Sequence, residues 1–209
     1  MAMLTMTQLV KSFGTRLLHY PDIVADRGDL ILICGDSGTG KTTLCEMIAG
    51  FIPVDKGEIN ICGVSSKGSG NLRFPKRQNV FQYIHYISQF PEHSLIGPTC
   101  QDDLELWLDT YRDKINELLT HYKLSHLADI PVWKLSFGQK KALSFCALHL
   151  VKRAIWILDE PFAGLDDDRH RLLMRAIREF LVSGGIVLVT SHTTAHYEEI
   201  INRKVLYLC

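Results

Sequence analysis

Short apolar runs recur along the chain and are separated by longer segments of mixed polarity. Each run has the length of a β-strand that is buried on both faces. The clearest runs are "LILIC" (30–34), "IHYIS" (84–88), "AIWIL" (154–158) and "IVLVT" (186–190). A further apolar run, "KVLYLC" (204–209), predicts a last strand.

The segments between these runs show apolar positions three or four residues apart, as is typical of helices. We predict helices over residues 41–49 and 168–182. The first is expected to end there because Gly50 and Pro53 follow it. The stretch 101–123 is an amphipathic helical pattern and predicts a helical insertion between sheet strands.

Strands that alternate with helices predict an α/β fold with a mostly parallel sheet. Two segments nearer the N-terminus, "LTMTQLV" (4–10) and "GEINICG" (57–63), predict a small antiparallel sheet in addition. The sequence has no internal repeat, low-complexity tract or long linker. The 209 residues are therefore expected to form one domain with an insertion.

Composition and charge narrow the classes of partner. Hydrophobic residues make up 46% and charged residues 22%, which is typical of a globular protein. The 23 basic and 23 acidic residues balance, so we expect no nucleic-acid partner. The six cysteines contain no C-x-x-C pair, which gives no support to a zinc or redox site.

The chain offers no pattern of a membrane or secreted protein. Its start, "MAMLTMTQLVKSFG", lacks the basic and apolar segments of a signal peptide. No apolar run approaches the roughly 20 residues that span a bilayer. We therefore expect a cytoplasmic protein that reaches a membrane only through a partner.

The sequence "GDSGTGKT" (35–42) fits the phosphate-binding pattern G-x-x-x-x-G-K-[ST] and lies between a predicted strand and a predicted helix. Its glycines let the backbone approach the phosphates, and the helix N-terminus attracts their charge. Lys41 is expected to reach the β- and γ-phosphates, and Thr42 to bind Mg²⁺.

Two carboxylates follow another apolar strand in "AIWILDEP" (154–161). Asp159 ends that strand, where it can hold Mg²⁺ through water. Glu160 comes next and can orient and polarise a water that attacks the γ-phosphate. A solvated strand end followed by a turn at Pro161 is the plainer interpretation, which the upstream P-loop disfavours. GTPases and small-molecule kinases match the pattern this far.

A second candidate phosphate site lies at "LSFGQ" (135–139), where Ser136 is expected to cap a helix. This sequence resembles the LSGGQ signature of ABC-type ATPases and, as in that family, precedes the strand that carries Asp159. A metabolic kinase has no use for such a motif, because the signature acts on the nucleotide of another subunit.

Other landmarks of the ABC family appear in their usual order. Gln89 in "YISQFPEH" resembles the Q-loop glutamine, and "AGLDD" (163–167) resembles the D-loop, with Asp166 as its aspartate. His192 in "TSH" resembles the switch histidine, and Phe13 in "KSFG" matches the aromatic residue that stacks on adenine. Each residue alone has an ordinary structural explanation, but together the ordered motifs cover nearly the whole chain. The sequence is therefore identified as a member of the ABC ATPase family.

The resemblance implies ATP hydrolysis with Mg²⁺, and it assigns roles to the residues that match the motifs. The implied catalytic residues are Glu160, His192 and Gln89. The implied Mg²⁺ ligands are Thr42, Gln89 and Asp159. The implied nucleotide contacts are Phe13, Gly35, Asp36, Ser37, Gly38, Thr39, Gly40, Lys41, Thr42, Thr43, Ser136, Gly138, Gln139 and Asp166.

The resemblance also implies partners and a domain plan. Two ATPase subunits, identical or paralogous, pair head to tail, so that each ATP lies between one P-loop and the other subunit's signature. An integral membrane subunit is the second partner. The implied fold is a RecA-like P-loop NTPase core with the antiparallel part (1–94 and 153–209) and a helical subdomain with the signature (95–152).

The sequence indicates the transporter subtype less specifically than it indicates the family. The stretch "FPEHSLIGPTCQDDLEL" (90–106) resembles ATPases of energy-coupling-factor and cobalt-type importers, which implies uptake of vitamins or metal ions. The chain lacks the C-terminal region that these ATPases often carry, and Ala142 stands where arginine is common. A haem-export ATPase of cytochrome c maturation is the nearest alternative. A soluble ABC ATPase of DNA repair or translation is the alternative of another class.

Phe137 departs from the signature pattern, which has glycine at that position. A bulky residue is strained at positive φ, so we expect Phe137 to have an ordinary negative φ. Its ring is expected to point towards a dimer interface or a neighbouring helical segment. Gly138 is then expected to be the position that does not accept a side chain.

Overall fold

The computed structural model describes residues 3–66, 80–107, 112–200 and 202–208. The described strands are β1 (Leu4–Phe13), β2 (Arg16–His19), β3 (Ile23–Ala25), β4 (Leu30–Gly35), β5 (Lys56–Ile61), β6 (Val64–Ser66), β7 (Ile84–Ile87), β8 (Ile155–Asp159), β9 (Ile186–Ser191) and β10 (Arg203–Leu208). The described α-helices of a turn or more are α1 (Lys41–Ile48), α2 (Cys100–Glu105), α3 (Arg112–His121), α4 (Phe137–Leu150) and α5 (Asp167–Val182).

The apolar runs form a five-stranded sheet in the order β10-β4-β9-β8-β7. Strand β4 pairs in parallel with both β10 and β9, and β9 pairs in parallel with β8. Every residue of β8 and β9 is buried, which explains why these runs are continuously apolar rather than alternating. The predicted parallel sheet is confirmed, and its strand ends differ from the predicted ends by one residue.

A second sheet contains the N-terminal strands, in the order β2-β1-β5-β6, with β3 also paired to β1. Its pairings are antiparallel, as the sequence predicts. The apolar faces of both sheets and of α1 share one core, which includes Leu4, Ile33, Leu44, Ile157 and Leu188.

The amphipathic stretch 101–123 was expected to be helical throughout, and that expectation is wrong in one respect. The structure describes two helices, α2 and α3, and the four residues 108–111 between them lie outside the described part. Helix α2 ends at Glu105, and the amide of Trp107 then donates to the Leu104 oxygen at 3.1 Å in a tighter turn. The amphipathic pattern continues past this turn, so it does not reveal the break.

Contacts divide the chain into two compact units. The first unit comprises residues 1–86, 153–160 and 178–209, and the second comprises 87–152 and 161–177. The sequence division into 1–94 with 153–209 and 95–152 remains a prediction about domains. Within the described part of the chain, no helix is both long and apolar enough to cross a membrane.

Candidate nucleotide-binding site

The glycine-rich loop connects the end of β4 to the start of α1 in the first unit. Gly40 caps α1 with a left-handed φ of 99°. A Cβ atom on Gly40 would lie 2.7 Å from the Tyr20 hydroxyl oxygen, and one on Gly35 would lie 2.5 Å from the Leu208 carbonyl oxygen. Glycine is therefore required at both places. The first amide groups of a helix have no partner within it, so the loop leads into an anion-binding helix N-terminus.

Lys41 folds back over this loop. Its Nζ donates to the carbonyl oxygens of Gly35 at 2.7 Å and Asp36 at 3.0 Å. The side chain is buried, and its Nζ lies 4.0 Å from Glu160 Oε1. The ammonium group is thus held at the loop rather than in solvent, and its contact with phosphate stays a prediction.

Two residues that the motifs do not include support the loop from the β1–β2 hairpin and the segment after it. Tyr20 donates its hydroxyl to the Gly40 oxygen at 3.1 Å, and Arg16 donates Nη2 to the Gly38 oxygen at 2.6 Å. Burial raises the pKa of Tyr20 to about 12, so its phenol remains a donor at neutral pH. Neither contact follows from a local sequence pattern.

Phe13 ends β1 and pairs across the hairpin with Arg16. Its ring is 51% exposed, which leaves a face available for stacking. The strand is anchored just before it, because Asp55 accepts hydrogen bonds from Lys11 Nζ at 2.9 Å and from the Ser12 amide at 2.7 Å. Hydrogen bonds from Ser12, followed by those from Lys11, lower the pKa of Asp55 to about 2.

Asp159 is buried at the carboxyl end of β8, and two hydroxyl groups contact it. Thr42 donates Oγ1 to Asp159 Oδ2 at 2.7 Å, and Thr190 of β9 donates to Asp159 Oδ1. Carboxylate and hydroxyl oxygens are ligands that Mg²⁺ accepts, directly or through water. The donor set at Thr42 and Asp159 therefore fits the metal that the family motif implies.

Glu160 follows Asp159 and turns out of the strand. It has a left-handed φ of 46°, which is uncommon for a residue with a side chain. Its Oε1 lies 2.8 Å from His192 Nε2, and its amide donates to Thr190 Oγ1 at 2.8 Å. The structure thus brings together Lys41, Glu160 and His192, three residues widely separated in the sequence.

The signature residues lie in the second unit, at the start of α4. Ser136 Oγ accepts from the Gln139 amide at 3.3 Å, and the Ser136 amide donates to Gln139 Oε1 at 2.8 Å. This reciprocal pair is a capping box, so the predicted helix cap at Ser136 is present. The cap fixes the first turn of α4, which contains Phe137 and Gly138.

Phe137 is part of α4 and is not among the described residues with positive φ, as its sequence context predicts. Its ring lies against the D-loop, since a Cβ on Gly164 would be 2.8 Å from Phe137 Cδ1. A Cβ on Gly138 would lie 2.9 Å from the Gly164 oxygen, so this glycine is also confined within the chain. The Lys141 Nζ is 5.1 Å from the centre of the Phe137 ring.

The remaining predicted residues are divided between the two units. Asp166 caps α5 by accepting from the Arg169 amide at 2.8 Å. Gln89 follows β7, next to Ser88, whose hydroxyl donates to the Phe90 oxygen at 2.6 Å. Asp36, Ser37, Thr39 and Thr43 belong to the P-loop of the first unit, where Thr39 Oγ1 donates to the Asp36 oxygen at 2.9 Å.

Comparison with known families agrees with this geometry. The family model described as "ABC transporter" matches residues 20–163, which include the P-loop, the signature and both carboxylates.

The chain belongs to the ABC transporter family.

Curated relatives support the same assignment for this ABC ATPase. It is 30% identical over 185 residues to the cytochrome c biogenesis ATP-binding export protein CcmA of Nitrobacter winogradskyi, covering 86% of each chain. The protein of the same name from Xanthomonas axonopodis pv. citri is 33% identical over 175 residues, covering 82% of this chain and 77% of the relative.

Solved structures share the fold. An ATP-binding subunit of an ABC transporter matches with a TM-score of 0.82 and 21% identity, covering 99% of this chain and 88% of that one. CbiO1 from Clostridium perfringens, described as part of the ABC transporter complex cbiONQ, has a TM-score of 0.71 at 21% identity, covering 100% and 87%. The predicted family, fold class and ATPase activity are therefore confirmed, and the chain is an ATP-binding subunit of an ABC transporter.

We predict that Lys41→Ala weakens ATP binding by at least about tenfold, because it removes a charged hydrogen-bond donor from the triphosphate. His192→Ala is expected to leave the affinity within about threefold while it lowers turnover, since His192 contacts the carboxylate of Glu160. Titration of each variant with a fluorescent ATP analogue, beside a steady-state ATPase assay, checks both. An equal loss of affinity in the two variants would contradict this division of roles.

Proposed function

We propose that this subunit hydrolyses ATP in a head-to-tail pair of ATPase subunits, and that closing and opening of the pair drives transport by a membrane partner. One observation carries the proposal. The Glu160 carboxylate lies between the Lys41 ammonium and the His192 ring, and the amide of Glu160 shares the Thr190 hydroxyl with Asp159. A base beside a phosphate-binding lysine suits the attack of water on a γ-phosphate.

Each predicted site residue of the first unit has a role in this reaction. Phe13 stacks on adenine, and the P-loop residues 35–43 bind the phosphates through their amides. Lys41 leaves its carbonyl partners to neutralise the β- and γ-oxygens. Glu160 orients the attacking water and accepts its proton, while His192 holds the carboxylate and responds to the γ-phosphate.

Thr42 and Asp159, with Gln89, would hold Mg²⁺. The charge that Mg²⁺ supplies when bound neutralises the developing charge on the β- and γ-phosphate oxygens. The Thr42 hydroxyl and the Asp159 carboxylate are already 2.7 Å apart, which favours the binding of one ion by both residues.

The signature loop of the second unit serves the partner subunit. Ser136, Gly138 and Gln139 lie at a capped helix N-terminus, which attracts the γ-phosphate held by the other subunit's P-loop. Asp166 lies in the neighbouring loop and is assigned to the same interface. Each subunit gives one P-loop and one signature, so the pair is self-complementary. This holds whether the pair consists of two copies of this chain or of this chain and a paralogue.

A membrane subunit is the second proposed partner, which would locate the ATPase at the cytoplasmic face of the membrane. We assign its docking site to the segment after Gln89. Phe90 is 50% exposed and Ile96 is 75% exposed, and such apolar side chains suit a short amphipathic helix of the partner. The similarity to CbiO1, which is described as part of the transporter complex cbiONQ, supports an assembled transporter.

The direction of transport has two candidates. Uptake of vitamins or metal ions is supported by the importer-like stretch 90–106 and by the fold match to CbiO1. Export is supported by the curated relatives that are named export proteins of cytochrome c biogenesis. Both candidates share the ATPase cycle and differ only in the membrane subunit.

We expect an integral membrane protein to copurify with the tagged chain from detergent-solubilised membranes, and its identity separates the two directions. Its presence would be reduced by Ile96→Asp but not by Val182→Asp, which changes another strongly exposed apolar residue. Recovery of ribosomes, DNA or no membrane protein would instead favour a repair or translation ATPase.

We predict that Glu160→Gln keeps ATP binding and lowers hydrolysis by roughly 100-fold or more, because the amide cannot accept the proton from water. An ATP-bound dimer is expected to accumulate, since the γ-phosphate that joins the subunits persists. ATPase assays and light scattering with and without ATP measure both effects. Near-normal turnover in this variant would exclude Glu160 as the base.

Gly138→Asp is expected to abolish ATP-dependent dimerisation, because it adds bulk against Gly164 and a negative charge facing phosphate. Phe137→Gly is expected to retain most of the ATPase activity with a weaker dimer. The two variants are compared by ATPase rate and by scattering in ATP. A dead Phe137→Gly beside an active Gly138→Asp would refute the assignment of this loop.

A further inference from the structure

The hydroxyl of Thr190 bridges two neighbouring residues of the proposed site. It is fully buried, it donates to Asp159 Oδ1, and it accepts from the Glu160 amide at 2.8 Å. A hydroxyl that donates once and accepts once is satisfied in a buried site. Thr190 therefore connects the side chain of one carboxylate residue to the backbone of the next.

The sheet brings Thr190 to this position. Strands β8 and β9 run in parallel, and Asp159 is paired in register with Thr190. The chain then continues through Ser191 to His192, whose Nε2 lies 2.8 Å from Glu160 Oε1. The end of β9 thus contacts Glu160 at two points, the amide through Thr190 and the carboxylate through His192.

Glu160 needs such support because its backbone conformation is unfavourable for a residue with a Cβ. Its φ is 46°, in the left-handed region that favours glycine. A strained residue keeps its conformation only when surrounding contacts fix it. The hydrogen bond from its amide to the buried Thr190 hydroxyl is such a contact, and it acts directly on the strained residue.

We propose that Thr190 is a positioning residue for ATP hydrolysis: its hydroxyl holds Glu160 in the left-handed conformation that directs the carboxylate towards the γ-phosphate. The inference rests on the proposed function, in which Glu160 is the base. The Thr190 hydroxyl is fully buried, and its described partners are the Asp159 carboxylate and the Glu160 amide. Although it also donates to Asp159 Oδ1, it reaches the proposed base through the Glu160 backbone, and so we expect it to influence turnover more than binding.

A purely structural role makes a different prediction. Residues 187–189 of the same strand are apolar and buried, so valine would satisfy the packing and the β-propensity of position 190. If Thr190 served only the strand, its replacement by valine would change folding at most. If the hydroxyl positions Glu160, valine keeps the shape and loses the catalytic geometry.

The test compares three variants of the full chain. Thr190→Val and Thr190→Ala remove the hydroxyl, and Thr190→Ser keeps it. The pair Ser and Ala differs only in the hydroxyl, so it tests the proposal even if valine is not accommodated. The control is Ser66→Ala, because Ser66 is also buried, accepts from the Ile59 amide and donates to the Ile59 oxygen, in the other sheet.

We expect Thr190→Val and Thr190→Ala to lower kcat by about tenfold or more, as small misplacements of catalytic groups do. The affinity for ATP should stay within about threefold, and Thr190→Ser should restore kcat to within about threefold. Ser66→Ala should leave kcat unchanged, whatever it does to the melting temperature. An unchanged kcat in Thr190→Val and Thr190→Ala, or an equal loss of ATP affinity and kcat, would overturn the proposal.

A double variant tests whether Thr190 acts through Glu160. In a Glu160→Gln background the base is already absent, so Thr190→Val should lower the residual kcat no further. A further tenfold loss there would mean that Thr190 acts by another route, and the proposal would fail. Failure of the proposed function itself looks different, because wild-type protein would then hydrolyse no ATP or Glu160→Gln would remain active.

Discussion

A buried carboxylate at the end of a parallel strand is the constraint around which the first unit is organised. Asp159 is 1% exposed, and burial of a charge is costly unless hydrogen bonds replace the lost water. The hydroxyls of Thr42 and Thr190 supply those bonds. To do so, α1 must begin beside β8 and β9 must end in register with it. One polar requirement therefore fixes the start of a helix and the ends of two strands.

The backbone around this carboxylate departs from ordinary geometry where the chain changes direction. Gly40 takes a left-handed φ beside Tyr20, and Glu160 takes one with a full side chain. Glycine adopts this conformation readily, whereas for Glu160 it is unfavourable in isolation and persists because neighbouring contacts fix it. The Tyr20 hydroxyl donates to the Gly40 oxygen, and the Glu160 amide donates to the Thr190 hydroxyl. Local strain is thus balanced by a small number of identifiable donors and acceptors.

The sequence predicts the parts of this structure that follow from local pattern. Continuous apolar runs mark the buried parallel strands, and the glycine spacing of 35–42 marks the loop, because both patterns depend on neighbouring residues. The support of that loop by Arg16 and Tyr20, and the bridge at Thr190, depend on which strands pair, which no local pattern encodes. A polar residue at the end of an otherwise apolar strand was the only available signal for Thr190. The break between α2 and α3 was missed because the amphipathic pattern continues on both sides.

The contact between the Phe137 ring and Gly164 has a mechanical consequence. The signature turn and the D-loop touch at two points, since Gly138 also faces the Gly164 oxygen. Neither glycine has room for a side chain, so the two loops are closely packed against each other. Movement of one loop towards the other would create steric overlap, so the two loops are expected to move together. A subunit built in this way presents the signature turn and the D-loop to a partner as one unit rather than as two independent loops.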